Sequence, residues 1–180
     1  MSQVYLLDAI KIYKTYVSYR DVVWHYFRTD MYWEEKIDKI KKETNSKDFR
    51  VPFADWSAIL KSIETYFIVK EDSNNIFSNW VGRLKDKQKI KTCRAVDLET
   101  ELGKLNAKEN FWLVISGDNP TTKNLVYDCK LNVILRVLGL REGDFFIVNK
   151  KYEWLTYFRY DQTDVEIFKS GNTQTPWDKK

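Results

Sequence analysis

The chain has 180 residues, of which 43% are hydrophobic, enough for one domain whose core needs no metal or disulfide to stay folded. Six glycines and three prolines are too few for a disordered or linker-rich protein, and a net charge of +4 is mild beside that of a dedicated nucleic-acid binder. Aromatic residues make up 16% of the chain. We expect most of these rings in the core and a few at an interface.

The first part of the chain, 1–68, is predicted to be mainly helical. Apolar residues recur there at intervals of three and four, which is the spacing of a buried helix face. This pattern predicts helices over 3–28, 31–43 and 53–67. The polar segment 44–52, which ends in proline, predicts a loop between the second and third helices.

The second part, 84–171, is predicted to be mainly sheet, because short apolar runs alternate with turn-forming residues. We expect about five strands in a mainly antiparallel sheet, a short helix over 97–105, and one further helix over 130–140. Candidate strand segments are 86–96, 111–116, 125–129, 144–149, 154–160 and 165–169. The tail, 172–180, is expected to be frayed. The predicted fold is a single α+β domain over 1–180, with the N-terminal helices packed on the sheet.

No catalytic constellation is evident in the sequence. His25 is the only histidine, and it lies in an aromatic stretch where a packed structural role is favoured over catalysis. The acidic pairs lie in polar contexts, which do not raise a carboxyl pKa as general acid catalysis at neutral pH requires. Asp128 lies within an apolar segment, and we favour a role as cap of the helix that starts at Lys130. We therefore predict that the protein is not an enzyme and has no catalytic residues.

The cysteines, Cys93 and Cys129, each lack a CxxC partner. With a single histidine in the chain they predict no metal site, and we expect no cofactor. They are typical of reduced, buried thiols in a cytosolic protein. The first residues lack the features of a secretory signal, and no apolar run reaches the roughly 20 residues of a membrane span. We therefore expect a cytoplasmic protein with no membrane partner.

The most basic segment is 83–94, where six basic residues accompany Asp86 alone. If it is a strand, its alternating lysines point to one face. One interpretation is a partner-binding surface for an acidic protein or a phosphate backbone. The other, which we favour, is an edge strand that its lysines protect from aggregation. The candidate partner-binding residues are Lys85, Lys87, Lys89 and Lys91.

The order of motifs over Phe111–Gly171 adds a functional expectation. A strand that ends in Tyr127 and Asp128 precedes a helix, and a later strand runs into the Lys-Tyr-Glu-Trp-Leu segment at 151–155. This order resembles a group of small bacterial proteins of the toxin-immunity type. The resemblance implies a non-enzymatic inhibitor that occludes a cognate protein toxin. The alternative is a nucleic-acid-associated protein that uses the basic segment 83–94.

Overall fold

A computed structural model describes two compact units of the chain, Met1–Lys42 and Glu43–Lys180. The described residues are 35–50, 56–70, 80–115, 126–140, 144–161, 163–171 and 174–178. In the first unit they are 35–42, which are helical and belong to the helix predicted over 31–43. The helix predicted over 3–28, with His25, lies outside the described residues. The remaining elements belong to the second unit.

The second unit is an α+β structure built on one antiparallel sheet. Its helices are α1 (Trp56–Phe67), α2 (Leu98–Leu102) and α3 (Leu131–Leu138). Its strands are β1 (Phe49–Arg50), β2 (Gln88–Arg94), β3 (Phe111–Ile115), β4 (Val126–Cys129), β5 (Phe145–Asn149), β6 (Leu155–Asp161) and β7 (Asp164–Lys169). They are ordered β1-β4-β3-β5-β6-β7-β2 across the sheet, and every neighbouring pair is antiparallel.

The α+β class and the antiparallel sheet are confirmed, but the described residues form seven strands rather than about five. The strand that the sequence does not indicate is β1, which lies in the segment predicted as a loop, 44–52. Two residues are too short to show the alternation that marks a strand. β1 forms because Phe49 is buried beside Tyr127, with ring centroids 5.9 Å apart, and pairs with Cys129 of β4.

One face of the sheet, called the α1 face, is covered by α1. The helix buries Ile59, Leu60, Ile63 and Phe67, whose spacing forms a single apolar stripe. This stripe packs on a row of residues that lie beside one another on successive strands. The row consists of Val114, Phe146, Tyr157 and Phe168. Alternation along the strands places Phe145, Phe158 and Ile167 on the opposite face, where they are also buried.

The C-terminal segment is anchored by Trp177, which is 3% exposed. Its ring contacts Phe158 and Trp154, with centroids 5.1 and 5.9 Å away, and its Nε1 donates to the carbonyl oxygen of Glu101 in α2. Asp178 forms an ion pair of 2.8 Å with Lys169 Nζ. The prediction of a frayed tail is therefore wrong for the described residues 174–178, because burial of an indole holds them in place.

Both cysteines are free, and their environments differ. Cys129 on β4 is fully buried, as the sequence predicts, whereas Cys93 is only half-buried because it lies on the edge strand β2. Within the described ranges, no three His, Cys, Asp or Glu side chains are placed to hold a metal ion. None of the described helices combines the length and the apolar character that a membrane crossing requires.

Candidate partner-binding surface

The second half of the basic segment forms β2, at the edge of the sheet, as the edge-protection interpretation requires, whereas Lys85 and Lys87 precede the strand. Its lysines do not share one face, however, because a β-bulge at Ile90 inserts an extra residue between Lys89 and Lys91. Lys89 lies beside Phe168 on the α1 face, whereas Lys91 lies beside Ile167 on the opposite face. The expectation of four aligned ammonium groups is therefore wrong.

Contacts within the chain already occupy most of these lysines. Lys85 Nζ donates to two carbonyl oxygens in the last turn of α1, at 2.8 and 3.2 Å. Lys89 forms an ion pair of 2.6 Å with Glu166 of β7, and Lys91 pairs with Glu101 of α2. These contacts stabilise a helix end and the sheet edge. They leave no single-faced row of cations for a phosphate backbone to follow.

An open cleft of about 520 Å³ lies beside β2 and α2, and four of its charged groups form two ion pairs. Lys91 pairs with Glu101, and Arg94 Nε binds Asp97 Oδ2 at 2.9 Å. Burial, with the nearby Glu101 carboxylate, raises the pKa of the Cys93 thiol that also lines the cleft. A raised pKa keeps the thiol protonated, so the cleft does not supply an activated nucleophile.

Asp128 does not cap α3, which begins after Lys130 without a side-chain cap hydrogen bond. Its Oδ1 instead accepts a hydrogen bond from Asn110 Nδ2 at 2.9 Å and lies 2.8 Å from Lys150 Nζ. The carboxylate is thus bound by two residues from other strands' ends, one just before β3 and one just after β5. The sequence shows that Asp128 is unusual in an apolar strand, but the partners come from distant segments.

Lys150 lies between the Asp128 carboxylate and the indole of Trp112. Its Nζ is 2.8 Å from the centroid of the Trp112 ring, which is a cation–π contact. Burial lowers the pKa of Lys150 to about 8, even though Asp128 favours the charged form. The Nε1 of Trp112 is buried and has no hydrogen-bond partner among the described residues. This corner of the α1 face therefore combines an aromatic ring with a half-buried ion pair.

Tyr152, in the loop between β5 and β6, adopts a left-handed backbone conformation with φ of 55°. The buried side chain of Asn149 organises this loop. Its Oδ1 accepts hydrogen bonds from the amides of Glu153 and Trp154 at 2.7 and 3.1 Å, and its carbonyl accepts from the amide of Tyr152 at 3.0 Å. A positive φ in a bulky residue is unfavourable by itself, so the surrounding contacts maintain it.

The ring of Tyr152 stacks on Tyr66, with centroids 5.5 Å apart and an interplanar angle of 10°. Tyr66 lies in the last turn of α1 and is 57% exposed, while Tyr152 is half-buried against the core. The loop that follows β5 carries both Lys150 and Tyr152, so it links the stack to the ion pair in one mixed aromatic and charged area. We call it the loop surface, and it consists of Tyr66, Trp112, Asp128, Lys150 and Tyr152.

The residues singled out by the resemblance divide between the core and this surface. Tyr127 is fully buried against Phe49, and Trp154 packs between Phe111 and Trp177, so both are scaffold residues. Asp128 and Tyr152 belong to the loop surface. No sequence signal marks Tyr66 or Trp112 as surface residues, because most aromatic side chains of the described residues lie in the core and their sequence patterns look alike.

The fold and the loop surface define a class of protein, an α+β scaffold with a preorganised aromatic surface beside a half-buried ion pair. The profile of a family described as "Family of unknown function (DUF6756)" matches residues 24–175, and the chain belongs to that family. Comparisons with curated proteins and with solved structures found no match.

Proposed function

We propose that the chain is a non-enzymatic binding protein that contacts a partner protein through the loop surface. The observation that carries this proposal is the stack of Tyr66 on Tyr152, in which an exposed ring is held by a preorganised loop. Tyrosine and tryptophan are enriched among the residues that dominate binding energy. A ring that is ordered before binding loses less conformational entropy when the partner docks.

We further propose that the partner is a protein toxin and that the chain neutralises it in the cytoplasm by occlusion. The resemblance of Phe111–Gly171 to toxin-immunity proteins supports this, because Asp128 and Tyr152 of the resembling motifs lie on the loop surface. The nucleic-acid alternative has less support, because the lysines of segment 83–94 lie on two faces of the sheet.

Co-expression with the protein encoded beside this chain in its genome tests the proposal. We expect the neighbouring protein to arrest growth of a laboratory host and the chain to restore it. Tyr66→Ala should weaken binding at least about 30-fold, as truncation of a dominant interface residue does. The matched control is Val96→Ala, at a residue that is 80% exposed outside the loop surface, and it should rescue as well as the unchanged chain.

The two parts of the proposal fail in different ways. Absence of any rescue by the unchanged chain would reject the toxin-immunity role. Full rescue by Tyr66→Ala would instead show that the partner is bound elsewhere. Thermal unfolding of both variants must match that of the unchanged chain, so that a lost rescue reports binding rather than folding.

A further inference from the structure

Three cationic side chains lie near the α1 face at the β2 end of the sheet. Arg159 is on β6, Lys89 is on β2, and Lys87 immediately precedes β2. Lys87 Nζ lies 4.4 Å from the centroid of the Phe168 ring, and the guanidinium carbon of Arg159 lies 5.8 Å from it. Lys89 is the direct neighbour of Phe168 across β7 and β2. Two positive charges therefore lie close to the Phe168 ring, and a third cationic residue is its neighbour in the sheet.

The nearby carboxylates do not balance this charge. Glu166 is shared, since it binds Lys89 at 2.6 Å and also pairs with Arg159. Asp144 accepts hydrogen bonds from the Tyr157 hydroxyl and from the Tyr160 amide, the latter at 2.9 Å. Around Phe168 the described residues thus place three cations against two carboxylates, of which Glu166 is shared by Lys89 and Arg159 and Asp144 is bound by neutral donors.

The Lys87 ammonium group lies in a partly desolvated environment. Burial lowers its pKa, and the nearby Arg159 guanidinium lowers it further, while the Glu166 and Asp144 carboxylates raise it. Its Nζ donates to the carbonyl oxygen of Val81 at a long 3.4 Å and lies over the rings of Phe168 and Tyr157. An added anion would stabilise the charged form of Lys87 and relieve its repulsion from Arg159.

We propose that Lys87, Lys89 and Arg159 form a binding site for a phosphate group, either free or as a phosphate ester. A guanidinium binds two phosphate oxygens at once, and an ammonium group offers further donors to the third oxygen. The three cations exceed the nearby Glu166 and Asp144 carboxylates by one positive charge, which favours an anion such as a phosphate monoester, with its charge of about −1.5 to −2 near pH 7. The apolar floor formed by Phe168 and Tyr157 strengthens these attractions by lowering the local dielectric constant.

Glu166 is the internal competitor of the proposed ligand, because it occupies Lys89 and Arg159 when the site is empty of phosphate. Replacing Glu166 by Gln would remove this competition. We therefore expect Glu166→Gln to bind phosphate several-fold more tightly. A purely structural role for the three cations predicts no such gain, which makes this variant the most informative one.

Calorimetric titration at constant ionic strength tests the site, with inorganic phosphate and a nucleoside 5′-monophosphate as separate probes. We expect saturable binding of at least one probe with one site per chain. Lys87→Gln and Arg159→Gln should each weaken it about tenfold, as loss of one charged hydrogen bond does. The matched control is Lys108→Gln, an exposed lysine in the turn before β3, which should leave binding unchanged. Unfolding temperatures show whether each variant folds. If Arg159→Gln does not fold, Arg159→Lys takes its place, because the lysine keeps the positive charge.

The relative affinity of the two probes identifies the source of the phosphate group, and either order supports the site. Failure of both probes to saturate would overturn the proposal. So would an equal loss in Lys108→Gln, which would mark the binding as general charge attraction. Unchanged or weaker phosphate binding by a folded Glu166→Gln variant would count against it as well.

Discussion

The rings of Tyr66 and Tyr152 stack 5.5 Å apart and nearly parallel, which joins the end of α1 to the loop between β5 and β6. The segment that carries each ring is fixed by a hydrogen-bonding residue other than the two tyrosines. Lys85 binds the carbonyl oxygens of the last turn of α1, and Asn149 holds the loop. The presentation of this pair therefore depends on residues that a partner need not touch.

Asn149→Ala should destabilise the protein and loosen the loop that carries Tyr152. The change leaves the amides of Glu153 and Trp154 without their acceptor, at a cost of about 1–3 kcal/mol in the free energy of unfolding. Chemical denaturation measures this loss. Asn149→Asp keeps the acceptor oxygen, so its loss of unfolding free energy should be smaller than that of Asn149→Ala. It should not be zero, because the new carboxylate lies near Glu153 Oε2. A fully stable Asn149→Ala variant would contradict the assigned role.

Lys85→Gln should lower the free energy of unfolding by about 0.3–1 kcal/mol, because it removes a cation from the carboxyl end of α1. Lys108→Gln is the matched control, since Lys108 is exposed and lies outside a helix. Denaturation of the two variants side by side checks the difference. Equal stability of the two would show that Lys85 does not act on the helix end.

Lys150 should make the stability of the protein rise with pH over an alkaline window. Burial lowers its pKa to about 8 in the folded protein, from 10.5 for an ordinary lysine. Between these values the unfolded chain binds more protons, so raising the pH favours the folded state, by about 3 kcal/mol over the whole window. Below pH 8 both states are protonated, and the contribution of Lys150 is constant.

The measurement is the free energy of unfolding as a function of pH for the unchanged chain and for Lys150→Met. Their difference removes the titration of other groups and should rise between pH 8 and 10.5. An NMR titration of the Lys150 side chain gives its pKa directly. A pKa near 10.5 would contradict the half-buried placement against Trp112.

Trp177→Ala should cost about 3–5 kcal/mol, as expected when a large buried aromatic side chain is removed. Trp177→Phe keeps a ring against Phe158 but loses the hydrogen bond to the carbonyl oxygen of Glu101, so it should cost less. Thermal unfolding distinguishes the two. If deletion of residues 174–180 left the unfolding temperature unchanged, the tail would be dispensable after all.

The two cysteines should react with a thiol reagent at very different rates. Burial raises the pKa of the Cys129 thiol and also shields it, so Cys129 should react only when the protein unfolds. Cys93 is half-buried with a raised pKa, and should react slowly in the folded protein. Labelling followed by peptide mass spectrometry assigns the sites, and Cys93→Ser should abolish native-state labelling.

Several elements were predictable because their signals are local. Apolar residues at intervals of three and four predict α1, and the continuous apolar run at Phe111–Ile115 predicts a buried central strand. The short strand β1, the bulge at Ile90 and the insertion of Trp177 were not predictable. Each depends on a partner that is distant in sequence, and the pattern of a single segment does not identify that partner.

By itself, the amino-acid sequence determined the α+β class, the basic edge strand and the unusual position of Asp128, because periodicity and charge are properties of neighbouring residues. Only the tertiary structure decided which side chains meet. It set Lys150 between Asp128 and Trp112, stacked Tyr66 on Tyr152, and gathered Lys87 and Arg159 around Phe168. These contacts form because sheet register and the packing of α1 bring together segments that the sequence keeps apart.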